Sequence, residues 1–303
     1  MELIAAIFIH DITPILLIAA IGFLLLRYAR LDIRSLSSLT LNVLIPCLIF
    51  DALVTSQVSA AEFARNAAFA ACTVLASGLA AWLCAQLLHL ERALASAFIL
   101  VVMFANVGNY GLPLNLFAFG QPALPYATIF VVVNLTLAYT LGIFIASRGQ
   151  ASVQRSLLSV LKAPAVYAVL AAGLVLWLDI QVWEPLNRSI SLLSDAAVPA
   201  QILVLGMQLG VARIERPLPL SAAAALRLLL SPLLALGFAL LFSLRGVAFQ
   251  AGLLQAATPT AVIAAILAVE YQAEPDFATS VVFLSTLISP FTLTLLIAAL
   301  QSL

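Results

Sequence analysis

Apolar runs of about 20 residues, the length a helix needs to cross a bilayer, follow one another along this whole chain with short polar joints between them. They centre on Ala19, Leu44, Ala76, Asn106, Val133, Leu170, Pro199, Leu234, Pro259 and Ile288. No long polar segment interrupts them, so the pattern predicts an all-α membrane protein of ten transmembrane helices without a soluble domain. Composition agrees: 64% of the 303 residues are hydrophobic and 9% are charged, whereas soluble domains are about a quarter charged. The formal net charge is zero, so no basic field suggests nucleic acid. The start, MELIAAIFIHDITP, has no basic n-region, and the first run is expected to stay in the mature protein.

The basic residues predict the orientation. Arg27, Arg30 and Arg34 follow helix 1, and Arg92 follows helix 3. Arg148, Arg155 and Lys162 join helices 5 and 6, while Arg213, Arg216 and Arg227 join helices 7 and 8. If the spans alternate, these all fall on one side, and the other receives Arg65, Arg188 and Arg245. That bias makes the richer side cytoplasmic and puts both termini outside.

The two halves, 1–150 and 151–303, resemble each other. PILLIAAIG from Pro14 matches PAVYAVLAAG from Pro164, and Asn42 to Pro46 matches Asp195 to Pro199. Tyr126-Ala-Thr matches Phe277-Ala-Thr at a similar offset. A five-helix unit has an odd number of crossings, so its duplicate sits upside down. Such a 5+5 inverted repeat is a signature of secondary transporters, although channels and some receptors also fit it.

The repeat pairs two interruptions. NVGNYGLP, residues 106–113, breaks the fourth span, and QAATPTAV around Pro259 breaks the ninth. Pro113 and Pro259 each remove a backbone donor and clash with the preceding turn, at about 3 kcal/mol in an ordinary helix interior. Gly108 and Gly111 each add up to about 1 kcal/mol. Either break alone reads as a proline kink; two at equivalent positions favour a crossing of discontinuous helices with a binding site there. Half-helix N-termini carry about half a positive charge with unpaired N–H groups. Asn106 and Asn109 add amides that suit a carboxylate, although amides suit neutral polar ligands too. No Lys or Arg is expected near mid-membrane, so dipoles and amides would hold the anion.

Asp195 is the carboxylate placed well inside a span, where a proton or cation role suits it; a helix-break cap or a place nearer the outer surface suits it equally. Asn42 is its repeat mate and is expected to complete a polar break before Pro46. Asp51 is expected at the outer end of helix 2 as a solvated residue. Gln201, Gln208 and Gln255 read as interhelical glue, and Gly206 and Gly210 as a small-residue packing pair. Glu270, Glu274 and Asp276 read as a solvated face, and Trp82, Trp177 and Trp183 as interfacial anchors. Cys47, Cys72 and Cys84 read as buried small hydrophobes without metal-ligand spacing.

The string from Asn106 to Pro113, the prolines Pro46 and Pro199, and Thr258-Pro259-Thr260 together resemble the auxin efflux carrier family, over about residues 5 to 300. The resemblance implies crossed, broken helices 4 and 9 in an architecture like that of sodium/bile-acid symporters. It also implies a scaffold of helices 1, 2, 6 and 7, a mobile core of helices 3–5 and 8–10, and elevator-type alternating access. Substrates implied are organic anions: auxin in plants, and dicarboxylates such as malate or malonate in bacterial members. The short joint between helices 5 and 6 departs from plant members with a long loop there and points to a prokaryotic member of the inner membrane. Carried over by position, Asn109, Pro113 and Pro259 would centre the substrate site.

The expectation is therefore a secondary active transporter, not an enzyme, moving a small organic carboxylate across the cytoplasmic membrane. Asn106, Gly108, Asn109, Pro113, Thr258, Pro259 and Thr260 form the expected substrate site, with Asn42 and Asp195 as coupling or helix-break residues. No cofactor, metal or nucleic acid is expected; partners are the anion, the lipid bilayer, a proton or sodium ion, and a second copy in a homodimer. The alternatives are a sodium-coupled symporter of bile-acid-transporter type and a non-transporting membrane sensor. An intramembrane enzyme would need a Ser–His pair, paired metal-binding acids or an Asp-rich motif in the spans, none of which the sequence shows.

Overall fold

A computed structural model describes residues 2–29, 31–56, 58–147, 163–209 and 217–302. Seven of the described helices are long and apolar enough to cross a membrane. They are α1 (Ile4–Tyr28), α2 (Ile33–Val54), α3 (Ala60–Leu87), α6 (Gln121–Ala146), α8 (Glu184–Leu209), α9 (Leu218–Leu241) and α12 (Pro275–Gln301). Between them lie the shorter α4 (Arg92–Met103), α5 (Leu112–Phe119), α7 (Pro164–Trp177), α10 (Gly246–Ala257) and α11 (Val262–Glu270). The all-α expectation holds among the described residues, where the only strand-like pairing is an isolated bridge at the helix crossing.

Local chemistry sets the ends. Ser59 caps α3 through a reciprocal capping box with Glu62, and Asp32 accepts from the N–H groups of Arg34 and Ser35 to start α2. Gly120, at φ 74°, ends α5 in a backbone region where other residues are strained. Prolines shape the helices in a way their sequence positions do not announce. Thr13, Ile45, Leu112 and Ser231 each close a π turn by donating five residues back, and each immediately precedes a proline. A proline ring crowds the carbonyl four residues earlier, and the widened turn relieves that clash while the helix continues. Pro46 therefore sits in an unbroken α2; Pro199 lies inside α8, which continues as regular α-helix without such a turn.

Two groups of helix contacts can be followed. α8 lies along α1 and α2, and α2 also carries α7. The α1–α8 approach is backbone-close, because a Cβ on Gly206 would stand 1.8 Å from the Ala19 carbonyl oxygen, and one on Gly22 would stand 2.2 Å from that of Leu203. Gly206 thus packs as the small-residue pattern predicts, while its partner Gly210 lies outside the described residues. In the other group α3 packs on α4, α6 and α9, α10 on α9 and α6, and α12 on α11 and α4. Much of the outer surface is apolar, with Leu17, Leu170, Leu240, Trp177 and Phe291 exposed as a lipid-facing shell requires.

Candidate functional site

α4 stops at Met103, where Phe104 turns to extended backbone (φ −100°, ψ 118°). After Asn106 the chain re-enters helix through the π turn Val107–Gly111 and continues as α5. α10 stops at Ala257, and Thr258 (φ −62°, ψ 152°) is extended, as the residue before a proline prefers. The helix resumes at Val262. The two extended segments lie antiparallel, bridged at Ala105 and Thr260. The Asn106 N–H donates to the Pro259 carbonyl at 2.7 Å, and the Ala261 N–H to the Phe104 carbonyl at 2.8 Å.

Breaking two buried helices frees backbone groups that must be paired. The Thr260 hydroxyl donates to the Val101 carbonyl at 2.8 Å, and the Thr260 N–H to Ser285 Oγ at 3.1 Å. The Thr258 hydroxyl returns to the Gln255 carbonyl at 2.8 Å, and Asn134 Nδ2 donates to the Ala105 carbonyl at 3.3 Å. Gln255 reaches the Ala127 carbonyl at 3.1 Å, the interhelical role expected of it. The remaining partner is Arg227, which donates through Nη1 to the Val102 carbonyl at 2.9 Å and through Nη2 to the Ala256 carbonyl.

Arg227 overturns one expectation. It is not a joint residue between helices; it sits inside α9 and is 2% exposed. A basic residue therefore does stand at the crossing, and it leaves the set that predicts orientation. Among the described residues, no carboxylate pairs with it. Arg30, Arg148, Arg155, Lys162, Arg213 and Arg216, which carry much of that set, lie outside the described residues.

On the other face of the crossing is a cavity of about 100 Å³. Asn106, Val107, Gly108 and Asn109 line it from the first break, Ala261, Val262 and Ile263 from the second. Both sets are the starts of half-helices, whose first N–H groups have no intrahelical acceptor. α2 contributes Ser37 and Thr40, α6 contributes Asn134 and Tyr139, and α8 contributes Gln208. Asn106 Nδ2, Asn134 Oδ1 and Gln208 Oε1 are buried there without a hydrogen-bond partner. Unpaired buried amides cost about 1–3 kcal/mol each, so three around one space mark it as a place for a polar ligand or water. The volume suits only a few heavy atoms, since drug-sized pockets run to about 300–1,000 Å³.

Of the residues expected at the site, Asn106, Gly108 and Asn109 are thus brought together on the cavity wall. Thr258, Pro259 and Thr260 hold the crossing without lining the cavity, and Pro113 lies beyond it in the first turn of α5. Asn42 is exposed and bonded to Ser38, and Asp195 lies elsewhere. Asp195 lines a separate cavity of about 950 Å³ with Asp51, Ser194, Glu62, Arg65 and Arg245. Sequence reading missed Asn134, Gln208's place in the cavity, and Arg227. The signal for Arg227 is a lone charge in AAAALRLLLSPLL.

Comparison with known proteins identifies the family. The family described as membrane transport protein matches residues 7–297. An uncharacterized transporter of Methanothermobacter thermautotrophicus is 28% identical over 286 residues, covering 92% of this chain and 94% of that one. With a family match over nearly all its length, on helices that cross at the string from Asn106 to Pro113, the chain belongs to the membrane transport protein family, the auxin efflux carriers, a family of transporters and not of enzymes.

Proposed function

We propose that this chain is a secondary active transporter that carries a small organic carboxylate across the cytoplasmic membrane by elevator-type alternating access. The observation that carries this reading is the cavity at the crossing, where two half-helix starts converge with the unpaired donor Asn106 Nδ2, while the unpaired Asn134 Oδ1 and Gln208 Oε1 can accept from a hydroxyl or water. Half-helix N-termini favour an anion through their dipoles and free N–H groups. The Asn106 and Asn109 amides add directional donors.

Counting α4 with α5 and α10 with α11 as interrupted spans, and α7 as a short one, gives ten crossings in two five-helix halves. The packing supports a scaffold of α1, α2, α7 and α8 beside a core of the remaining helices. The small cavity stands against Ser37, Thr40 and Leu41 of α2, and the wide one against Asp51 and Thr55 further along it. At 1.5 Å rise per residue, Leu41 and Asp51 are about 15 Å apart along α2. Core travel of that order would carry the amides from one end of the scaffold to the other. On the basic-residue bias the wide cavity would open on the outer side, with both termini. There Asp195 and Asp51 are the carboxylates available for proton coupling, and the Ser194 hydroxyl can bond Asp51.

Uptake of labelled malonate or malate into proteoliposomes tests the reading. Asn109→Ala should lower uptake at least about tenfold, the loss of one hydrogen bond to a charged group, while its thermal midpoint stays near that of the unaltered chain. Full uptake by Asn109→Ala would remove the crossing as the substrate site. Asp195→Asn should flatten the pH dependence of uptake, and an unchanged profile would remove proton coupling through that residue.

A further inference from the structure

The carbonyls that Arg227 holds are the ones the crossing orphans. In an uninterrupted helix the Val102 carbonyl would accept from the N–H of residue 106, and the Ala256 carbonyl from that of residue 260. Both donors are diverted: the Asn106 N–H goes to Pro259 and the Thr260 N–H to Ser285. What remains is a pair of half-helix C-termini facing one buried spot, each carrying about half a negative charge. Together they amount to about one elementary charge, in surroundings where no carboxylate or other cation is paired among the described residues. Unwound carbonyls and half-helix C-termini of this kind are ligands for a monovalent cation in membrane transporters.

Here the chain supplies the charge itself. Guanidinium stays protonated in proteins and offers a planar fork of donors, and two of its nitrogens reach one carbonyl from each arm. The π turn Leu226–Leu230, forced ahead of Pro232, is the local feature that includes Arg227. We propose that Arg227 is a tethered counter-cation: it stands where a mobile cation would otherwise bind between the two half-helix C-termini, so the crossing assembles without sodium. On the reading that the opposite face is the substrate site, ligand binding there is sodium-independent as well. Arg227 does not line the cavity and acts through the two arms, so it is a positioning residue.

The test uses sodium and guanidinium alone as probes, with thermal unfolding of the purified full chain in detergent. The unaltered protein should have the same midpoint in sodium chloride as in choline chloride of equal ionic strength. Arg227→Ala and the neutral donor variant Arg227→Gln should lose roughly 5 °C or more in choline, and recover part of it when sodium or low guanidinium is added. Arg227→Lys, which keeps the charge, should remain indifferent to sodium. A sodium-stabilised parent protein would overturn the proposal. So would an Arg227→Gln as stable as the parent, or neutral variants that respond to neither cation, because each makes Arg227 a plain brace. If Arg227→Ala cannot be purified, the parent protein, Arg227→Gln and Arg227→Lys still decide. If none of the three variants can be purified, the parent protein in the two salts decides alone. None of these measurements involves transport, so failed uptake and failed cation response are separate outcomes.

Discussion

The two breaks that meet at the crossing are built from different residues and face different tasks. The second, Thr258-Pro259-Thr260, turns its side chains inward: both hydroxyls are bonded to backbone carbonyls, and its helix resumes within a few residues. The first, from Asn106 to Gly111, turns amides toward a cavity, leaves Asn106 Nδ2 unpaired, and re-enters helix through a widened turn. One break is held by its own hydrogen bonds, and the other keeps polar groups in reserve. The difference teaches that two breaks meeting at one crossing divide their side chains between fastening the backbone and lining a cavity.

Substitutions can break or sharpen that division. Gly111→Ala should be the most damaging, because the new Cβ would stand 1.9 Å from Gln255 Oε1 and 3.2 Å from a Thr258 methyl. Gln255 is tied to Ala127 and cannot swing away freely, so overpacking of about 1–3 kcal/mol is expected in denaturant or thermal unfolding. Thr260→Val should come next, leaving the Val101 carbonyl without its hydroxyl donor, at about 1–2 kcal/mol. A fully stable Thr260→Val would show that the second break is not fastened by its side chains. Gly108→Ala should be the mildest. Nothing lies within 4 Å of the added Cβ and the backbone is not left-handed, so stability should hold or rise by up to about 1 kcal/mol. Its effect should appear in malonate uptake instead, since the methyl group intrudes on the cavity wall.

The sequence makes the membrane class and both breaks legible, because apolar runs and the asparagine, glycine and proline residues that interrupt them act locally. The same proline signal misleads at Pro46, where a π turn absorbs the ring and α2 continues unbroken. Asn42 and Asp195 stand at matched places in the sequence pattern, yet Asn42 bonds Ser38 while Asp195 faces the wide cavity. Side-chain direction depends on which helix packs alongside, and a repeat in sequence does not carry that. Arg227 is the hardest to foresee. A charge-bias count treats every arginine as a joint residue, whereas its partners lie 125 and 29 residues away in sequence. Only the tertiary arrangement brings those carbonyls to it.

The short antiparallel bridge has a mechanical consequence. Two main-chain bonds pin residues 104–106 to residues 259–261 at the point where both helices are interrupted. Each arm is thereby clamped at its weakest place, and neither can pivot or slide along the other without tearing buried main-chain pairing. Whatever moves one half of the chain must take the other with it. A pair of breaks that would separately be hinges becomes, once pinned, a single stiff cross-brace.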